Sequence, residues 1–128
     1  MQSKIDNFIN DFYADLDSGE ETKQFVAKYF ETESVMCHYG EMFRNCFEIE
    51  SWFDSFKAGF SDSVHQIKSV IYEEHGEIIT LQADLVWTAA FRNIDGNNMI
   101  RYKTVTRMDL TEYCGKFTIK TYKSTAVK

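Results

Sequence analysis

Three histidines and three cysteines are the side chains of this chain best suited to act as acid, base, nucleophile or ligand near neutral pH. His65 stands in Ser63-Val64-His65-Gln66-Ile67-Lys68-Ser69-Val70-Ile71-Tyr72, where apolar and polar residues alternate as in a strand. The alternation puts its imidazole on the side of Ile67 and Ile71. An imidazole so placed either shuttles a proton for a bound molecule or rests neutral against a carbonyl or a tyrosine hydroxyl. His38 and Tyr39 precede Gly40, and one of the two must point inward from a short strand. Cys37 does not pair with His38, because neighbouring strand residues face opposite ways. His38, His65 and His75 lack i, i+4 or H-x-H spacing, and Cys37, Cys46 and Cys114 contain no C-x-x-C pair. Neither a metal site nor a disulfide framework is expected, and no cofactor motif is present.

These residues belong to a chain of 128 residues, 44% of them hydrophobic, enough for one core and one domain over 1–128. Its 20 acidic residues against 14 basic ones give a net charge of −6, which argues against nucleic acid and anionic membrane as partners. The start MQSKIDNFINDFYADLD has no continuous apolar run, so neither signal peptide nor membrane span is expected. Unpaired cysteines suit a reducing compartment, and the expected location is cytoplasmic.

Helical spacing of Ile5, Phe8, Ile9, Phe12 and Leu16 predicts a first helix, with Ser3 as its cap. A second is predicted from about Glu20 to Glu31, after the break at Ser18-Gly19. A short strand, Val35 to Tyr39, follows, then Asn45-Cys46-Phe47-Glu48 has capping-box spacing ahead of a third helix bearing Ile49, Trp52, Phe53 and Phe56. From Val64 the period changes to two. Strands are predicted over Val64–Glu73, Glu77–Phe91, Met99–Leu110 and Lys116–Lys123, with turns at His75-Gly76, Asp95-Gly96 and Cys114-Gly115. Helices first and an antiparallel meander after them predict an α+β fold, helices on one face of the sheet. Large Trp87, Phe91, Tyr102 and Met108 share the inner face with small Ala83, Ala89, Thr104 and Thr106, which either interdigitate or leave an apolar cavity with few polar groups. Arg101, Lys103, Arg107 and Asp84 fall on the outer face, as a solvated surface or a dimer interface.

The succession of a helix hairpin, VMCHYG, EIESWFDSFKAGF, SVHQI and GKFTIKTY resembles the NTF2-like superfamily, in particular its SnoaL-like members, along essentially the whole chain. The resemblance implies a cone-shaped fold, its helices on a strongly bent antiparallel sheet that encloses a pocket, and a homodimer through the outer sheet face. Members include steroid isomerases, polyketide cyclases, dehydratases, epoxide hydrolases and non-catalytic binding domains. Where a ketosteroid isomerase has its tyrosine, carboxylate base and protonated aspartate, this chain is similar in position at Phe12, Cys37 and Thr106, so that chemistry is not implied. A SnoaL-like cyclase needs an inward carboxylate, and Asp84 points outward unless a bulge turns it. The likeness to scytalone dehydratase-like members reaches further. Asp17 in ADLDSGE and His65 look like an aspartate and one of two pocket histidines, while Trp87 stands at the second. This implies His65 as proton shuttle and Asp17 as its orienting partner, although a polar residue at a helix end is also ordinary. Tyr29, Tyr39 or Tyr102 would polarise a substrate oxygen, and His38, Trp87, Phe91 and Thr106 would line the ligand site. The expectation is a small apolar or aromatic ligand and cofactor-free lyase, isomerase or cyclase chemistry; the alternative is a non-catalytic ligand-binding or protein-interaction domain.

Overall fold

The computed structural model describes residues 1–93 and 98–127, so the turn expected at Asp95-Gly96 lies outside the described residues. Helix α1 runs Gln2–Ser18, α2 Thr22–Tyr29 and α3 Cys46–Gly59; the strands are β1 Phe30–His38, β2 Glu41–Phe43, β3 Phe60–His75, β4 Ile78–Phe91, β5 Met99–Tyr113 and β6 Lys116–Ala126. Ser3 lies inside α1 rather than capping it, because the helix already begins at Gln2 and Met1 makes no side-chain cap bond. Gly19 ends that helix in the left-handed region (φ 71°), its N–H bonding to the Leu16 carbonyl. The third helix starts where its sequence signals it: Asn45 accepts from the Glu48 N–H at 3.0 Å, and Glu48 reaches back to the Arg44 N–H at 3.0 Å.

Six strands form one sheet in the order β2-β1-β6-β5-β4-β3. Strands β3 to β6 make the expected antiparallel meander, but β1 joins β6 in parallel, so the sheet is mixed rather than antiparallel. Periodicity marks a strand's faces and carries no information on its partner, and the long connection through α3 lets β1 lie beside the last strand.

Strand β3 departs from simple alternation at two register shifts, between Ser61 and Val64 and between Ile67 and Ser69. The second shift inserts one residue at Lys68, which turns Val70 and Tyr72 inward and Ile71 outward. Ile71, expected inside, is consequently 64% exposed. On β4 the expected inner residues Ile79, Leu81, Ala83, Leu85, Trp87 and Ala89 are buried, and Val86 and Ala90, out of phase with them, are buried as well. On β5, Thr104, Thr106, Met108 and Leu110 are buried, whereas Tyr102, on the same face near the start of the strand, is 44% exposed. The core between helices and sheet is rich in rings; Phe12, fully buried, lies within 6.1 Å of five of them, including Phe25, Tyr29 and Tyr122. No helix among the described residues is long and apolar enough to cross a membrane.

Candidate functional site

The last turn of α1 and the start of β3 meet at Asp17. Helical spacing places Asp17 one turn after Tyr13, on the side of the helix that covers β3. Strand β3 is the edge of the sheet, so alternate backbone N–H groups there lack a strand partner. Asp17 takes one of them: its Oδ2 accepts from the His65 N–H at 2.7 Å. Its Oδ1 lies 2.7 Å from His65 Nδ1 and also accepts from the Ser63 hydroxyl at 2.7 Å. A carboxylate oxygen accepts, so the contact assigns a proton to Nδ1, and in the neutral imidazole the lone pair then lies on Nε2. Nε2 has no hydrogen-bond partner among the described residues. The His65 side chain is 6% exposed and that of Asp17 17%, so the pair is largely shielded without being sealed.

Aromatic rings fix the plane of the imidazole. Tyr13 stacks on it at 4.5 Å (24°) and Trp87 lies nearly parallel at 5.7 Å (9°). Trp87 is also tied to the pair by hydrogen bond, donating from Nε1 to Ser63 Oγ at 3.0 Å. Behind them, Tyr13 donates to Thr106 Oγ1 at 2.8 Å and lies 3.1 Å from the Tyr122 hydroxyl; Ser124 closes the group at 2.9 Å from Thr106 and 2.8 Å from Tyr122. Burial drives the Tyr13 hydroxyl well above the usual phenol range and raises that of Tyr122, so this quartet stays protonated and uncharged. Thr106 therefore anchors Tyr13 from behind His65 instead of facing an open pocket.

The remaining expected residues divide into two groups. Tyr39 and Tyr102 gather at Trp87, each within 6.0 Å of it. Tyr39 adopts φ 51° in the tight turn to Gly40, with its N–H on the Ser124 carbonyl at 2.9 Å and its hydroxyl 2.8 Å from Thr104 Oγ1. Burial pushes its hydroxyl up to about 12. Phe91 packs on Phe60 at 5.2 Å, and Phe60 in turn meets Trp87 at 5.0 Å. His38 opens onto a cavity of about 240 Å³ between the β1–β2 hairpin and α3, lined also by Glu41, Ser51, Trp52 and Phe56. Burial, and secondarily nearby His65, lowers His38 to about 4, so it is neutral at neutral pH. Tyr29 is remote from these residues: its hydroxyl is committed to Asp15, and its ring borders a cleft of about 340 Å³ with Lys4, Phe8 and Phe117. It does not face His65. Asp84 stays on the outer face, held by Ser69 at 3.0 Å. Among the described residues there is no group of three His, Cys, Asp or Glu side chains able to hold a metal ion.

No protein-family model matches the chain, and no curated protein matches it in sequence. Solved structures do match in shape. An NTF2-like superfamily protein from Salmonella enterica superposes with a TM-score of 0.85 at 14% identity, over 98% of this chain and 90% of that one. The fold is NTF2-like. A putative scytalone dehydratase from Novosphingobium aromaticivorans gives 0.86 at 8% identity, over 99% and 84%, and ActVI-ORFA from Streptomyces coelicolor 0.76 at 11%, over 98% and 96%. Within this NTF2-like frame, Asp17 and His65 do meet, as the sequence resemblance implied. Sequence reasoning missed Ser63 and Tyr13. The signals were available: Ser63 is two residues from His65 on the same strand face, and Tyr13 is four from Asp17 on one helix face.

Proposed function

We propose that this NTF2-like protein binds a small apolar or aromatic molecule at the open end of the cone and carries out cofactor-free acid/base chemistry on it through His65. One observation carries the reading: Asp17 holds the His65 backbone and Nδ1 together, while Nε2 is left with a free lone pair. In the dehydratase form of this chemistry Nε2 takes a proton from the carbon next to the one bearing the leaving hydroxyl. The resulting imidazolium, its Nδ1–H on Asp17, returns a proton to that hydroxyl, and the product and water depart. Tyr39, neutral through the physiological range, donates a hydrogen bond to a substrate oxygen, and Trp87 and Tyr102 supply stacking surface. Shape similarity to a putative scytalone dehydratase and to ActVI-ORFA is in keeping with this class, without choosing the substrate.

The test is a screen of small hydroxylated aromatic compounds for turnover, followed by His65→Gln. Removal of the titrating imidazole should lower kcat by about 100-fold or more while binding persists. Undiminished turnover would sink the assignment. A second reading, binding without turnover, is favoured by the shielding of His65, whose side chain is only 6% exposed between the Tyr13 and Trp87 rings. Ligands that bind and emerge unchanged would select it.

A further inference from the structure

The cavity at His38 takes no part in the chemistry placed at His65. His38 and Glu41 stand directly opposite each other across the antiparallel pair β1–β2, and such partners put their side chains on one face of the sheet. Phe43, two residues beyond Glu41, shares that face. Across from them, Trp52 and Phe56 are one turn apart on α3, so the helix presents both rings to the same space. Phe60, at the head of β3, packs on Phe56 at 5.4 Å and completes the wall of a cavity of about 240 Å³. Trp87 does not line it; its ring reaches Phe56 at 5.7 Å and Phe60 at 5.0 Å, on the side of His65.

Two polar groups of this cavity are unengaged. The His38 ring touches only the rings of Tyr39, Trp52 and Phe56 and makes no hydrogen bond or ion pair among the described residues. Glu41 makes no ion pair there either, not even with His38 opposite it. The remaining lining residues, Ser51 and Ser55, bear neutral hydroxyls, and that of Ser51 donates to the Phe47 carbonyl at 3.3 Å. Among the described residues that line the cavity, Glu41 alone carries a full charge, since burial keeps His38 neutral. A carboxylate beside an imidazole lone pair calls for a positively charged N–H donor, and the faces of the surrounding rings attract the same charge. The net charge of −6 favours the approach of a cation, whereas an anion meets the charge of Glu41. A bare metal ion is not suited, because no group of three His, Cys, Asp or Glu side chains exists among the described residues to hold one. The apolar walls suit a hydrocarbon or ring instead. We propose that this cavity binds a small organic ammonium ion, its N–H groups on His38 and Glu41 and its apolar or aromatic body against Trp52, Phe56 and Phe60. The site is independent of any chemistry at His65.

Titration calorimetry of the full chain at neutral pH with three probes of one shape tests it: phenethylammonium, the uncharged phenethyl alcohol and the anion phenylacetate. The ammonium should bind about ten-fold more tightly than the alcohol or better, phenylacetate most weakly, and added salt should weaken the ammonium alone. Glu41→Gln and His38→Leu should each lower affinity for the ammonium by about ten-fold. Asp84→Asn, the same change of charge on the outer face, should leave it unaltered. Melting curves show which variants are folded; if one is not, the other decides, and if neither is, the order of the three probes decides. Equal or tighter binding of the alcohol or of phenylacetate, no binding of the ammonium, or undiminished binding by a folded Glu41→Gln or His38→Leu variant would overturn the proposal.

Discussion

His65 and His38 show how two imidazoles of one inner face acquire different characters. His65 has a carboxylate partner and a free Nε2; His38 has only rings, Trp52 at 5.1 Å and Tyr39 at 4.5 Å, and burial holds it down to about 4 from an ordinary 6.5. The folded protein therefore resists a proton that the unfolded chain accepts. Stability associated with His38 is fully present above pH 6.5 and is lost as pH falls towards 4. The loss amounts to about 3 kcal/mol at most. Thermal melting across that range should show the decline in the wild type and a clearly flatter profile in His38→Gln; equal slopes would mean that His38 is protonated without penalty. Of the residues at this site, the identities were legible before the fold was: His65 from alternation, Asp17 from family likeness. The engagement of Tyr29 was not, because its partner Asp15 is one helix away and no local spacing reveals it.

At the level of elements, the pairing of α1 with β3 depends on a distortion. The first register shift of β3 centres on Asp62, whose φ of 54° is left-handed, and it is this extra residue that presents Ser63 and His65 to Asp17. Aspartate tolerates that conformation, whereas a β-branched residue does not. Asp62→Val should cost about 1–2 kcal/mol in denaturant unfolding, with Asp62→Asn close to wild type. An unchanged midpoint in the valine variant would show that the bulge does not need its left-handed residue. Bulges were also where the strand reading failed: alternation carried Ile71 inward, and the residue inserted at Lys68 reversed it. A bulge obeys no periodicity, so a single sequence marks it only weakly. The third helix fared better because its capping is local chemistry, as Asn45 and Glu48 show.

Over the whole molecule, charge and chemistry are divided between the two sides of one sheet. The inner side joins residues far apart in the chain, Asp17 to His65 and Tyr13 to Thr106, into a buried polar site wrapped in rings. The outer side gathers Arg101, Lys103 and Arg107, which make no ion pair among the described residues, on a net acidic protein. The NTF2-like order of elements was legible in the sequence, but the parallel seating of β1 beside β6 was not, since it depends on a long connection and on core contacts. The inner site rests on one hydrogen-bond arrangement, which long-range proton–nitrogen NMR of ¹⁵N-labelled protein reads directly at alkaline pH, where imidazole is neutral. A His65 protonated at Nδ1 with a bare Nε2 is the expected spectrum, lost in Asp17→Asn. A His65 protonated at Nε2 with Nδ1 bare would contradict the Asp17 contact and remove the base from the proposed chemistry.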